Sequence, residues 1–274
     1  MNLFAPAEFT ENYAAVSVKK SKAPLSNLIL LSILAGMLIA FAGAVTNTAT
    51  HCMTDTGVIR MTSGLLFAFG LGMVVLSGAE LFTGNCLMTI GLFDGRIKLG
   101  GLLRNLGVVL CGNFVGSMIV AAACAYFGQM NMSACGLAVS AMKIALAKST
   151  MPFANALVQG IMCNVLVCLG VLFSLSAKDV CGRFLGAFAP VAFFVTIGFN
   201  HSIADMFYCT VGLFAKTVPA YAEAAAAAGV DLSGLTWGAY FGGNLLPVVL
   251  GNVLGGVAVA FVMWHCFLKK KKEA

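Results

Sequence analysis

Charged residues are scarce in this chain. Only 9% of its 274 residues are Asp, Glu, Lys or Arg, whereas 60% are hydrophobic, and the mean hydropathy is +0.97. A soluble fold could not bury so much apolar surface, so a soluble globular domain is excluded. The sequence therefore predicts an integral membrane protein with a single transmembrane domain over residues 1–274.

Motifs of enzymes, metal sites and exported proteins are also missing. There is no H-E-x-x-H motif, no Gly-rich nucleotide loop and no pair of histidines within an apolar segment. The ten cysteines are scattered singly without C-x-x-C spacing, which favours small apolar filler over metal or redox sites. Residues 5–20 are too polar for a secretory signal. We expect no enzyme, no catalytic residues, no cofactor and no metal; a membrane-embedded enzyme is the second alternative function.

Six apolar runs are long enough to cross a hydrocarbon core of roughly 30 Å. They lie near Leu25–Ala44, Arg60–Phe93, Gly101–Phe127, Pro152–Ser176, Phe184–Lys216 and Trp237–Leu268. The second and fifth runs are too long for one simple crossing, and each carries a polar interruption, Gly78–Asn85 and Gly198–His201. Both are predicted to be broken helices, whose unwound backbone is buried in protein or lines a cavity.

The third and sixth runs share a G-N-x-x-G pattern, Gly112–Gly116 and Gly251–Gly255. Together with the two broken helices, this repeated pattern divides the chain into two halves of three helices each. Because three is odd, the halves must lie in opposite orientations, an inverted repeat that places a solute site near the bilayer midplane. The pattern itself is interpreted as close helix packing, in which the asparagine bonds across the contact.

The basic residues are unevenly shared between the two sides of this topology, with twelve on the side of both termini and four on the other. The twelve are Lys19, Lys20, Lys22, Arg96, Lys98, Arg104, Lys178, Arg183 and Lys269 to Lys272; the four are Arg60, Lys143, Lys148 and Lys216. The positive-inside rule makes the side of the termini cytoplasmic, in a cell (inner) membrane. The net charge of +6 is then topological and does not indicate nucleic acid.

The two ends of the chain are expected to be cytoplasmic. Residues 1–24 are predicted to contain a short interfacial helix with apolar positions at Phe9, Tyr13, Ala14 and Val16. Residues 269–274 form a basic tail.

One histidine, His201, lies in the middle of the fifth apolar run. An ionisable side chain at membrane depth costs about 2.5 to 3.5 kcal/mol on insertion scales, and such residues mostly face a cavity or a solute pathway. We therefore predict that His201 faces a transport pathway. The alternative is a buried histidine satisfied by backbone carbonyls.

With these features in view, the chain resembles the formate/nitrite transporter family over nearly its full length. The segments Gly78-Ala-Glu-Leu-Phe-Thr83 and Phe199-Asn-His-Ser-Ile-Ala-Asp-Met-Phe207 look like the two family signatures. The resemblance implies an all-α, aquaporin-like protomer of six transmembrane helices and a homopentamer in the lipid bilayer. It also implies one pore per protomer for small inorganic or carboxylate anions.

The resemblance also implies site residues. His201 matches the central pore histidine, Thr83 the threonine that orients it, and Asn164 and Lys148 positions in the vestibule. The implied constriction residues are Leu71 and Leu81 on the cytoplasmic side, Phe67 and Phe194 on the periplasmic side, and Phe82. Lys148 either attracts anions or is an interfacial lysine that snorkels to the membrane surface.

An anion that crosses two apolar constrictions loses its hydration with little in return. A histidine, with an ordinary pKa of about 6.5, can give a proton to such an anion. We hypothesise that His201 attracts the anion as imidazolium and passes it a proton, so that the neutral acid crosses. Hydrosulfide is the first predicted solute, and formate and nitrite are further predicted solutes. The first alternative is an aquaporin-like channel for water or small neutral solutes, against which the absence of an Asn-Pro-Ala repeat counts.

The residues that flank His201 depart from the family pattern. Formate channels often read Glu-His-Ser-Ile-Ala-Asn here, whereas this chain reads Asn200-His-Ser-Ile-Ala-Asp205, which argues against a plain formate channel. Asn200 and Asp205 are expected to modulate His201, since Asp205 at i+4 would favour a charged imidazole. Alternatively, the half-helix backbone or a neighbouring subunit holds Asp205. Glu80 is interpreted as a cap for backbone N–H groups of the first half-helix.

Overall fold

Residues 3–269 are described by a computed structural model, and within this range the chain folds into one 3₁₀ turn (Gln129–Asn131) and eleven longer helices. These are α1 (Pro6–Ser21), α2 (Leu25–Thr50), α3 (Thr56–Ser77), α4 (Phe82–Phe93), α5 (Leu99–Tyr126), α6 (Gly136–Ser149), α7 (Phe153–Ser176), α8 (Val180–Ile197), α9 (Ser202–Lys216), α10 (Pro219–Ala227) and α11 (Trp237–Phe267). Six of them, α2, α3, α5, α7, α8 and α11, are long and apolar enough to cross a membrane. The prediction of an all-helical fold with six spans is confirmed.

Both predicted helix breaks are present. The long second run consists of α3 and the shorter α4, and the fifth consists of α8 and α9. The helices α3 and α8 each begin at an aspartate cap, Asp55 or Asp179, and each ends at a glycine in the left-handed region, Gly78 (φ 69°) or Gly198 (φ 95°). Glycine adopts this conformation without the steric penalty of a Cβ atom, so the chain can leave the helix inside the protein.

The two halves of the chain pack alike. Helix α2 packs along α5 and α7 along α11, while the unbroken parts of the two interrupted spans, α3 and α8, pack on each other. One element was not anticipated from the sequence, namely α6, which precedes the second half as α1 precedes the first. Helix α6 packs on half-helix α9, and α1 packs on half-helix α4. Each half of the inverted repeat therefore includes one further helix outside its three spans.

The predicted N-terminal helix is present as α1, but its apolar residues pack against the rest of the protein and not against the membrane surface. Phe9, Tyr13 and Ala14 are buried, and the Tyr13 hydroxyl donates a 2.9 Å hydrogen bond to the carbonyl of Gly84 in α4. Side-chain packing therefore attaches α1 to the first half-helix. Of the predicted basic tail, residues 270–274 lie outside the described residues.

The glycines of the two G-N-x-x-G segments lie at helix contacts, as predicted. A Cβ atom on Gly112 or Gly116 of α5 would overlap α2, and one on Gly251 or Gly255 of α11 would overlap the backbone of α7. Close backbone approach of this kind is typical of membrane helices that pack through small residues.

Gly116→Ala is expected to destabilise the fold by about 1 to 3 kcal/mol, because the new methyl group would overlap the carbonyl oxygen of Ile33. Gly107→Ala in the same helix is the matched control, since its Cβ would meet open space. Thermal unfolding in detergent measures both variants. Equal melting temperatures for the two variants would contradict this account of the α2–α5 contact.

Candidate functional site

Three cavities adjoin one another in the region of the two breaks. The Lys148 vestibule has a volume of about 440 Å³, with Arg60, Lys148 and His201 in its wall. The central chamber measures only about 10 Å³ and is also lined by His201. The Lys20 vestibule measures about 330 Å³ and is bounded by α1, the break before α4 and helices α3 and α7. The chamber and each vestibule share lining residues.

Apolar side chains separate the three spaces. Phe67 and Phe194 line both the Lys148 vestibule and the chamber, and their rings meet edge to face with centroids 6.4 Å apart. Leu71 and Leu81 line both the chamber and the Lys20 vestibule. Phe82 is different, because it lines none of these cavities and its side chain is buried in the core.

His201 is held at the start of α9 by two hydrogen bonds. Its Nε2 lies 2.9 Å from Thr83 Oγ1, and its Nδ1 accepts a 3.1 Å bond from the backbone N–H of Ala204. Since a backbone N–H can only donate, Nδ1 carries no proton, and the ring proton must lie on Nε2, which donates it to Thr83. His201 is therefore a neutral imidazole that caps α9, and its interpretation as a histidine satisfied by backbone carbonyls is wrong.

The asparagines of the G-N-x-x-G segments cap both half-helices. Asn113 Oδ1 accepts from the backbone N–H of Phe82 at 2.9 Å, and Asn252 Oδ1 accepts from that of Ser202, also at 2.9 Å. Buried N–H groups at a helix start need such partners because no water reaches them. The packing interpretation of these segments is thus incomplete, since the same residues also fix the two breaks.

Lys148 and Asp205 form a buried ion pair next to His201. Lys148 Nζ lies 2.5 Å from Asp205 Oδ1 and donates a 2.6 Å hydrogen bond to Asn200 Oδ1. The other Asp205 oxygen accepts from Asn244 Nδ2 at 3.2 Å. Within the chain, the Asp205 carboxylate bonds Lys148 on α6 and Asn244 on α11, and not the imidazole or the half-helix backbone. An influence of Asp205 on His201 stays a prediction.

A matching cluster surrounds the first break. Lys20 Nζ lies 2.7 Å from Glu80 Oε2 and donates to Asn85 Oδ1 at 3.0 Å, while Asn85 Nδ2 donates to Asn105 Oδ1 at 2.8 Å. The Glu80 carboxylate caps no backbone N–H in the described structure, so the capping prediction is wrong. Its partners are Lys20 and, through a 2.6 Å bond, Asn85.

The two clusters differ by an exchange of acid and amide. In the first, the acid stands at the break (Glu80) and the amide five residues later (Asn85). In the second, the amide stands at the break (Asn200) and the acid five residues later (Asp205). Each cluster keeps one lysine and one carboxylate, so the unusual order around His201 leaves the formal charge of its cluster unchanged.

Asn164 does not lie on a cavity wall. It is fully buried, and its Nδ2 donates to the carbonyls of Thr83 at 3.2 Å and Asn252 at 2.5 Å. It therefore links α7 to the first half-helix and to α11. Arg60 lines the Lys148 vestibule but was not among the predicted site residues. The available signal was that it is the one basic residue of the second predicted span.

A family model described as Formate/nitrite transporter matches residues 7–266 of the chain. The chain belongs to the formate/nitrite transporter family. This confirms the resemblance found in the sequence. It also confirms that the protein is a transporter and not an enzyme.

Curated relatives cover most of this formate/nitrite transporter. A probable formate transporter of Methanothermobacter thermautotrophicus is 35% identical and aligns over 97% of this chain and 98% of its own length. The formate channel FocA of Escherichia coli (strain K12) is 32% identical over 92% of this chain and 90% of its own length.

Solved structures agree with the fold of this formate/nitrite transporter. A pentameric formate channel with formate bound superposes with a TM-score of 0.78 at 34% identity, covering 89% of this chain and 98% of that chain. The aquaglyceroporin of Plasmodium falciparum superposes with a TM-score of 0.56 at 13% identity, covering 92% and 100%. The predicted aquaporin-like architecture is thereby confirmed.

Proposed function

We propose that this chain is a channel for small monovalent anions of weak acids, whose pore connects the Lys148 vestibule, the central chamber and the Lys20 vestibule. The observation that carries the proposal is a polar pair, His201 and Thr83, at a chamber bounded by Phe67 and Phe194 on one side and by Leu71 and Leu81 on the other. Apolar constrictions on both sides of one polar binding position let a small solute pass if it is neutral or becomes neutral there.

The assembly is proposed to be a homopentamer in the cell membrane, with one pore in each protomer and both termini in the cytoplasm. A solved relative at 34% identity is titled a pentameric formate channel, which supports the oligomer. The asymmetry of basic residues supports the orientation.

Formate is the first candidate solute. Two curated relatives above 30% identity are named for formate, and a solved relative holds it. The order of Asn200 and Asp205 no longer argues against formate, because the Asp205 charge is taken up by Lys148.

Hydrosulfide, the solute first predicted from the sequence, is the second candidate. The observation in its favour is the central chamber of about 10 Å³, close to the space that one water-sized sphere needs. A hydrosulfide ion has a single heavy atom and fits such a space. Formate is larger and requires side chains of the constrictions to move.

The proton step is proposed to involve His201 and the permeating anion. In this conformation the ring is neutral, with its proton on Nε2 and its Nδ1 engaged by Ala204. To become imidazolium the ring must release the Ala204 N–H and bind a proton at Nδ1. The imidazolium then gives its Nε2 proton to the anion, which yields the neutral acid and a neutral ring. The capped ring of this structure is the state before proton uptake.

Flux measurements in proteoliposomes test the proposed function. Formate and hydrosulfide are expected to permeate at least about tenfold faster than chloride, a barrier difference of roughly 1.4 kcal/mol. Their rates should rise as the pH falls, because the proton that makes a weak-acid anion neutral becomes more available, whereas the chloride rate should not, because chloride accepts no proton. Osmotic swelling with glycerol, or water permeation without anion flux, would favour the aquaporin-like alternative and contradict the proposal.

A further inference from the structure

The charges in the wall of the Lys148 vestibule do not balance. Of the described residues that line it, Arg60, Lys148 and Asp205 are formally charged. Lys148 and Asp205 lie 2.5 Å apart and neutralise each other. The excess positive charge of this vestibule therefore belongs to Arg60.

Arg60 lies next to the break that leads to His201. It is in the second turn of α3 and exposed. Its guanidinium lies against Gly198, so close that a Cβ atom at this glycine would overlap Nη1. Gly198 ends α8, and Asn200 and His201 follow directly. No ion pair to Arg60 is found within residues 3–269, so its charge faces the vestibule uncompensated.

We infer that Arg60, and not Lys148, is the residue that draws small anions into this vestibule. The inference deepens the proposed function and rests on it. A net positive charge on a low-dielectric cavity wall raises the local anion concentration and the rate of entry. The planar guanidinium also matches a carboxylate through two parallel hydrogen bonds, so formate is the best-suited ligand class.

The alternative role of Arg60 is structural. The C-terminal end of α8 carries unpaired carbonyls and the negative end of the helix dipole, which a cation stabilises. The two roles differ in their dependence on salt, because attraction in an open vestibule is screened. The Debye length falls from about 30 Å at 0.01 M to about 3 Å at 1 M ionic strength.

The test compares initial formate flux of wild type, Arg60→Gln, Arg60→Lys and Lys143→Gln in proteoliposomes at about 0.01 M and 1 M ionic strength. Lys143 is the matched control, since it is an exposed cation on α6, the helix that also carries Lys148, and does not line the vestibule. Arg60→Gln is expected to lower flux about tenfold at low salt, through KM, and to approach wild type at high salt. Arg60→Lys keeps the charge but not the two parallel hydrogen bonds, so it should keep more flux than Arg60→Gln and less than wild type. Lys143→Gln should keep all of the flux.

Three results would overturn the inference. The first is a formate flux of Arg60→Gln that equals that of the wild type at low salt. Another is an equal loss in Lys143→Gln, which would indicate an unspecific surface charge effect. The third is a loss of flux in Arg60→Gln that is the same at both salt concentrations and comes with a lower melting temperature, as expected for a helix-capping role. If the wild type itself carries no formate or hydrosulfide, the proposed function fails instead.

Discussion

His201→Phe is expected to lower weak-acid anion flux by at least about a hundredfold, the lower range for loss of a general acid–base group. Phenylalanine can exchange no proton, and it loses both the bond to Thr83 and the cap on the Ala204 N–H. The lost cap should also cost about 1 kcal/mol of stability. Flux across pH and thermal unfolding measure the two effects separately.

His201→Asn is the variant that separates proton exchange from capping. Asparagine is among the best N-cap residues, and its side-chain oxygen can accept from the Ala204 N–H as Nδ1 of His201 does. Its amide has no proton that titrates near neutral pH. The melting temperature of His201→Asn should therefore stay near wild type, while its flux falls as in His201→Phe. Wild-type flux and pH dependence in His201→Asn would reduce His201 to a helix cap and remove it from the proposed mechanism.

The features that the sequence predicted well are those in which a polar residue interrupts an apolar run. Both breaks and the position of His201 follow from this signal, because unpaired backbone and ionisable groups are excluded from lipid. The glycines of the G-N-x-x-G segments were likewise predicted at helix contacts. Each of these conclusions can be drawn from a single segment of the chain, because lipid excludes unpaired polar groups whatever the rest of the fold is.

Side-chain partners that come from distant helices were not predictable in the same way. The i+4 spacing suggested that Asp205 approaches His201, and the spacing is indeed helical, with Asp205 N bonded to His201 O at 2.9 Å. However, Nδ1 of the imidazole accepts from the backbone N–H of Ala204, and the Asp205 carboxylate bonds Lys148 on α6. Helix α6 was not anticipated, because it is short and carries lysines. The inverted repeat was a usable signal for it, since a helix before the first span predicts a counterpart before the fourth.

Neighbours in sequence were also separated by the fold. Leu81 and Phe82 both stand at the first break, yet only Leu81 lines the chamber and the Lys20 vestibule. Phe82 begins α4, and its backbone N–H is fixed by Asn113. Which residue of such a pair faces a cavity depends on this cap, which comes from a helix 31 positions away.

Asp205→Asn is expected to be the most destabilising single change in the Lys148 cluster. It leaves the ammonium group of Lys148, whose side chain is only 20% exposed, without its carboxylate partner. Removal of one partner from a fully buried pair costs about 3 to 5 kcal/mol, so about 2 kcal/mol is expected for this partly exposed one. Thermal unfolding should show the loss, and formate flux should fall with it as Lys148 and Asn200 shift beside His201.

The exchange between the two clusters provides a compensating variant. Asn200→Asp combined with Asp205→Asn would place the acid at the break, as Glu80 is in the first cluster, and the amide five residues later, as Asn85 is. Because Asn and Asp have the same shape, the new carboxylate would lie where Asn200 Oδ1 already meets Lys148 at 2.6 Å. Gln159, which now accepts from the Asn200 amide at 2.8 Å, can turn its own amide to donate instead.

The double variant is therefore expected to recover most of the stability that Asp205→Asn loses. Asn200→Asp alone is the matched control, because it adds a second carboxylate to one lysine and should lower anion entry through repulsion. If the double variant is no more stable than Asp205→Asn, the two positions are not interchangeable and the clusters are not functional equivalents. Recovery of both stability and formate flux would mean that the ion pair with Lys148, and not the position of its acid, is what the site beside His201 requires.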